Sequence, residues 1–177
     1  MEKVELNKNI KLSEHLASPS EAALSHLSEL NGLRLSPHFT LGELCKTSHK
    51  TADGNIPSRV AIENLRNICE NWLEALRQAQ GPHQGPIVIN SGYRSPEVNK
   101  LAGGSATSNH LTGCAVDIRV AGFEQAIRYA SILLDISDGT KRDYDELLIE
   151  RTSAGNYWLH FAVRPKDNRR KTGFLKG

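Results

Sequence analysis

The chain has 177 residues, with 22 lysines and arginines against 20 acids, so its net charge is +2. That length suits one domain with its own core, and the near balance of charge excludes an overall field aimed at nucleic acid or a membrane surface. Cys45, Cys69 and Cys114 are too few and too scattered for a disulfide framework.

Residues 1–35 read as a polar N-terminal extension, partly helical, with Ser18 as a cap, Pro19 at the first helical position and Ala22, Ala23, Leu24 and Leu27 as its stripe. No apolar run follows a basic start, and nothing nears the ~20 apolar residues of a membrane span. The expectation is a monomer, soluble and cytoplasmic as synthesised, with no membrane partner.

In Pro37–Leu44, Thr40 caps a short helix and Glu43 completes a capping box. Pro57-Ser58 opens a long amphipathic helix whose expected buried face is Val60, Ile62, Leu65, Ile68, Trp72, Leu73 and Leu76, stopped by Gly81-Pro82. Pro86–Ser91 is a short β-rich run, and Pro96 starts a short helix. Residues 103–109 form a flexible loop. It is no phosphate loop, because no Lys follows at the required spacing.

Cys114–Val120 alternates as a strand, and residues 123–134 read as a second amphipathic helix along Phe123, Ala126, Ile127, Ala130, Leu133 and Leu134. Glu146–Glu150 and Tyr157–Val163 read as a β-hairpin around Gly155. Asp138, Asp143 and Asp145 read as plain loop acids. The last residues crowd Arg164, Lys166, Arg169, Arg170, Lys171 and Lys176. They read as a solvated basic tail over 166–177, with polyanion binding as the sharper alternative. No aromatic-basic alternation accompanies this charge, so no nucleic-acid partner is expected. The fold class is α+β: a small antiparallel sheet with helices packed on one side.

Strand parity singles out three residues. In Cys114–Val120 the core side is Cys114, Val116, Ile118 and Val120, which sends Asp117 to the other face. In Tyr157–Val163 the same parity sends His160 away from Leu159 and Phe161. A groove on that face lets Asp117 and His160 meet, and Gly113 permits a bend that brings His110 to them. A lone histidine is usually a packing residue and a lone strand aspartate is usually solvated, so the weight lies on the joint pattern. Two imidazoles and a carboxylate fill three corners of a tetrahedron and leave one for water, as in catalytic zinc sites. Cys114, turned to the core, is expected to be inert.

Ser108-Asn109-His110-Leu111-Thr112-Gly113-Cys114-Ala115-Val116-Asp117, Ser91-Gly92-Tyr93-Arg94-Ser95 upstream and Trp158-Leu159-His160 downstream carry a resemblance. Together they resemble the zinc D-Ala-D-Ala carboxypeptidase family of peptidoglycan peptidases, which includes phage endolysins, over about residues 36–165. The resemblance implies a zinc peptidase-like domain with its cleft on the open sheet face. His110, Asp117 and His160 would hold Zn2+. Arg94 would pair with a substrate carboxylate or oxyanion, and Ser108 would help orient the peptide. The substrate implied is a peptidoglycan stem peptide, cut as a D-Ala-D-Ala carboxypeptidase or an L,D/D,D-endopeptidase would cut it. Phage-type release would bring such an enzyme to the cell wall without a secretory signal.

One family feature is missing. Many members carry a Glu three residues before the last His, where this chain has Tyr157. Glu150 is the replacement general base if its strand pairs so that Glu150 sits opposite Trp158. A slip by one residue turns it away. Glu146 and His49 stand behind it. The absent Glu also keeps open a non-catalytic zinc-containing module that binds cell-wall peptide or protein. Hedgehog signalling domains show that the fold can carry zinc outside an evident peptidase role.

Overall fold

The computed structural model describes residues 29–81 and 85–176. The helix expected at Ser18–Leu27 lies outside the described residues. Two short strands, β1 (Arg34–Ser36) and β2 (Phe39–Thr40), pair antiparallel and lead into helix α1 (Leu41–Leu44). The capping box forms in both halves: Thr40 Oγ1 accepts from Glu43 N, and the Glu43 carboxylate accepts from Thr40 N at 2.8 Å. Two orphan donors of the helix end are thereby satisfied.

The long amphipathic stretch becomes α2 (Arg59–Ile68), a π-helical turn (Cys69–Leu73) and α3 (Glu74–Ala79). Ser58 caps it by accepting from Ala61 N at 3.2 Å. Leu65, Ile68, Trp72, Leu73 and Leu76 are buried as the spacing predicts, but Val60 is 63% exposed and Ala61 takes its place. Positions 61, 65, 68 and 72 follow the helical three-or-four step, whereas 60 lies about 100° off that line. The wider π turn shifts the phase by one residue, so that adjacent Trp72 and Leu73 both stay in the core.

Strand β3 (Ile89–Ser91), helix α4 (Pro96–Leu101) and a 3₁₀ turn (Asn109–Thr112) lead into strand β4 (Ala115–Arg119). Helix α5 (Phe123–Thr140) runs six residues beyond the expected 123–134. Its buried line is Ala126, Tyr129, Leu133 and Ser137, while Phe123 and Ile127 are exposed. Ser137 can lie in the core because its hydroxyl donates to Arg142 O at 2.6 Å. Among the described residues, no helix is long and apolar enough to cross a membrane.

The hairpin is β5 (Glu146–Arg151) and β6 (Tyr157–Ala162), and a last strand, β7 (Lys171–Lys176), follows. The main sheet has the order β3-β4-β6-β5-β7. Its pairings are antiparallel except β5 with β7, which is parallel. The sheet is therefore the small, mainly antiparallel one that sequence patterning predicted, with one parallel pairing at its edge. The expected solvated tail contributes an edge strand.

Acids from the segment before β5 hold that edge. Asp145 is fully buried and accepts from Arg169 Nε at 2.8 Å and Nη2 at 2.6 Å, with Arg164 Nη2 also 2.8 Å away. Arg170 pairs with Asp138 at 2.8 Å and Asp143 at 3.0 Å. These three aspartates, read as plain loop acids, are the counter-charges of the basic segment. Val116, Ile118, Leu159, Phe161 and Leu147 build the core with Trp72, Ala126 and Leu133. By alternation Asp117, Trp158, His160, Glu146 and Glu150 project from the opposite sheet face.

Candidate metal centre

Three chain segments converge on that face. Asp117 of β4 and His160 of β6 are direct cross-strand partners, so pairing alone brings the two side chains together. His110 arrives from the 3₁₀ turn, whose first N–H groups are capped when Ser108 Oγ accepts from His110 N at 3.3 Å. The turn then reverses at Gly113, which has φ 70°. A Cβ at Gly113 would lie 2.4 Å from the Ala61 carbonyl oxygen, so glycine is required both for the left-handed backbone and for the close approach.

One ligand atom from each of His110, Asp117 and His160 lies within 4.8 Å of the other two, and all three residues are buried. Asp117 Oδ1 is 2.9 Å from His160 Nδ1 and 3.3 Å from His110 Nε2. Bonds of the length zinc makes to nitrogen and oxygen would put tetrahedral corners about 3.3 Å apart, close to both separations from Asp117, so the group could hold one ion.

The chemistry of the donor set passes the same test. His110 Nδ1 is 2.6 Å from the Gly92 carbonyl oxygen, which can only accept, so Nδ1 carries the proton. Nε2 then faces a carboxylate oxygen at 3.3 Å, a gap that positive charge must fill, as a ring proton or as a bound metal ion.

Charges around the group fit this demand. Burial alone would raise the Asp117 carboxyl, but the imidazoles, His110 foremost, hold it well below the usual carboxylate range. Burial would likewise lower His160, yet its bonds to Asp117 and Glu146 raise it to about 9. Arg94 pairs with the second Asp117 oxygen through Nη2, and its Nε donates to Ser91 Oγ at 2.7 Å. Its guanidinium therefore orients the Asp117 carboxylate as well as facing the cavity.

A cavity of about 330 Å³ opens over the three residues. Glu150, Trp158, Arg94 and Ser108 line its walls, and Ala102–Ser105 form its rim. Glu150 pairs directly with Trp158, the register that faces it toward His160. Burial raises its carboxyl above the usual range.

The other two base candidates lie elsewhere. His49 lines a neighbouring hollow of about 160 Å³ with Lys46, Ser91 and Arg94. Glu146 lies 3.5 Å from His160 Nε2, on the far side of the ring from Asp117, and is held there by Lys171. The His160 contact, with help from Lys171, overcomes burial and lowers the Glu146 carboxyl to about 2. Cys114 is buried, as expected.

Two supporting groups had escaped the sequence reading: the Gly92 carbonyl and Asn109. The Ser-Gly-Tyr-Arg motif held a clue to the first, because a backbone donor or acceptor leaves no trace in side-chain chemistry except through its neighbours. Asn109, whose side chain donates to Asp145 at 2.8 Å and to Glu146 at 3.2 Å, lies inside the motif and had no chemical signature of its own.

Residues 37–140 match the peptidase M15 family. The chain belongs to that family. The match takes in His110 and Asp117 and ends before His160, which the sheet adds to them. Among relatives of this M15 chain, the zinc D-Ala-D-Ala carboxypeptidase of Streptomyces albus G is 33% identical over 82 residues. That stretch covers 46% of this chain and 31% of the relative's length.

Proposed function

We propose that this chain is a zinc-dependent metallopeptidase that hydrolyses a peptide bond in the stem peptides of peptidoglycan. The reading rests on one observation: Glu150 lines the same cavity as His110, Asp117 and His160. Two nitrogens and one carboxylate with an open side suit zinc. His110 through Nε2, His160 through Nδ1 and Asp117 through its carboxylate would hold it. When bound, zinc lowers the pKa of a water from 15.7 toward ~7 and polarises the scissile carbonyl.

The remaining roles belong to side chains of the cavity. Glu150 takes a proton from the attacking water and returns it to the leaving amine. Its raised carboxyl lies closer to the working pH than that of an exposed glutamate, which favours transfer in both directions. Arg94 fixes Asp117 and supplies positive charge for a substrate carboxylate or a developing oxyanion. Ser108 and the loop 102–105 receive the peptide at the rim. A peptide bound by its free terminal carboxylate makes the reaction a carboxypeptidase cut, and one that runs through the cavity makes it an endopeptidase cut. The relative from Streptomyces albus G favours the first.

Glu150 on the cavity wall weighs against the alternative of a non-catalytic module, which drew its force from Tyr157 standing where many relatives have a Glu. Zinc-loaded protein should hydrolyse a synthetic stem peptide. It should lose turnover in both His160→Ala and Glu150→Gln, with zinc lost only in the first. Zinc bound by the wild-type protein with no hydrolysis of any stem peptide, free or amidated at its end, would overturn the enzymatic reading in favour of the module.

A further inference from the structure

Glu146 stands four residues before Glu150 on the same face of β5, and its contacts differ from those of a base. One oxygen, Oε2, faces His160 Nε2 at 3.5 Å and accepts from Asn109 Nδ2 at 3.2 Å. The other, Oε1, accepts from Lys171 Nζ at 3.1 Å and lies 3.2 Å from Arg169 Nη2. Asn109 also donates to Asp145 Oδ2 at 2.8 Å, and it directly precedes His110 in the chain. The two acids at the start of β5 thus touch both histidine arms and are themselves gripped by the C-terminal segment.

An imidazole can present either nitrogen to a metal, and its orientation is set by whatever the other nitrogen meets. For His160 the other nitrogen meets Glu146. We propose that Glu146 is the positioning residue for His160. It retains the proton on Nε2 so that the Nδ1 lone pair faces Asp117 and the ion, while Arg169 and Lys171 hold Glu146 in place. The basic C-terminal segment thereby becomes part of the metal centre, which gives its charge a task other than binding a polyanion. This inference rests on the zinc reading above.

The test is zinc affinity, measured by competition with a chromophoric chelator, for wild type, His160→Ala, Glu146→Leu and Glu146→Gln. Ring 15N spectra of zinc-loaded wild type and Glu146→Leu accompany it. Glu146→Leu should bind zinc about 10- to 100-fold more weakly. Glu146→Gln should recover most of that loss, because its amide oxygen still accepts from Nε2–H. The wild-type His160 ring should carry its proton on Nε2, with that signal broadened or moved in Glu146→Leu, an effect that a merely structural role would not produce.

Wild-type affinity and an unchanged ring pattern in Glu146→Leu would overturn the proposal. Should that variant not fold, Lys171→Met on the exposed edge strand serves in its place. It should weaken zinc about 2- to 5-fold at low salt, and an unchanged affinity there would overturn the proposal as well. Absence of zinc binding in the wild type, or its survival in His160→Ala, would bring down the underlying zinc reading and the inference with it.

Discussion

Glu150 lies directly opposite Trp158 across β5 and β6, so its carboxylate faces the cavity that holds His110, Asp117 and His160. A glutamine there keeps the shape and loses the base. Glu150→Gln should lower kcat by about 10²- to 10⁴-fold with zinc content unchanged, as stem-peptide turnover and metal analysis will show.

The pH profile should carry the signature of that residue. Burial raises the Glu150 carboxyl, and a general base must be deprotonated to act. Activity is therefore present above the raised value and lost as pH falls through it. The acid limb of kcat/KM should sit above the ~4.3 of an exposed glutamate. A limb at or below that value would assign the base elsewhere.

Metal removal should cost stability as well as activity. Without an ion, a carboxylate and two imidazoles remain crowded in a buried space. If zinc binds only the folded state, a concentration 1,000 times its Kd adds about 4 kcal/mol. A chelator should lower the Tm of the wild-type protein and leave that of His160→Ala unmoved, as calorimetry can test.

Gly113→Ala should be among the costlier single-methyl changes in the chain. The backbone there is left-handed, and the added carbon would press on a main-chain oxygen of α2 that cannot rotate away. A loss above about 1 kcal/mol is expected, read as a shift in the urea midpoint. Zinc affinity should fall with it, because the turn carries His110.

Asp145 should govern part of the acid denaturation. Burial opposes its charge, but Arg169 and its other partners lower its carboxyl below the ordinary value. Its contribution to stability is complete above the unfolded value near 3.9 and is lost as pH falls through the lower folded value. Asp145→Asn should flatten the acid limb of stability against pH and destabilise the protein at neutral pH by about 1–3 kcal/mol.

The readable part of this molecule was the part governed by local rules. The Thr40–Glu43 box, the Ser58 cap and the faces of β4 and β6 follow from short-range spacing, because parity and capping act within a few residues. Register does not, and the meeting of Asp117 with His160 also needed the pairing of β4 with β6. Whether Glu150 faced the cavity turned on one step of slip between β5 and β6, and its pairing with Trp158 resolves it. Asp145 and Glu146 were harder still. Their partners, Arg169 and Lys171, lie more than twenty positions onward, and nothing in the local pattern distinguishes a charge that will be buried from one that stays in water. The buried line of α5 moved for a related reason: Tyr129 and Ser137 lie in the core because distant polar partners satisfy their hydroxyls.

The turn between β3 and α4 works as a yoke. Its Gly92 carbonyl steers one imidazole and its Arg94 steers the carboxylate, while its own main chain rests on α1 through the Tyr93 N–H and on Asn55 through the Tyr93 oxygen. Residues 41–55, which supply no atom to the metal group, therefore act as its foundation. A graft of the motif onto another scaffold would keep its shape only if that footing travelled with it.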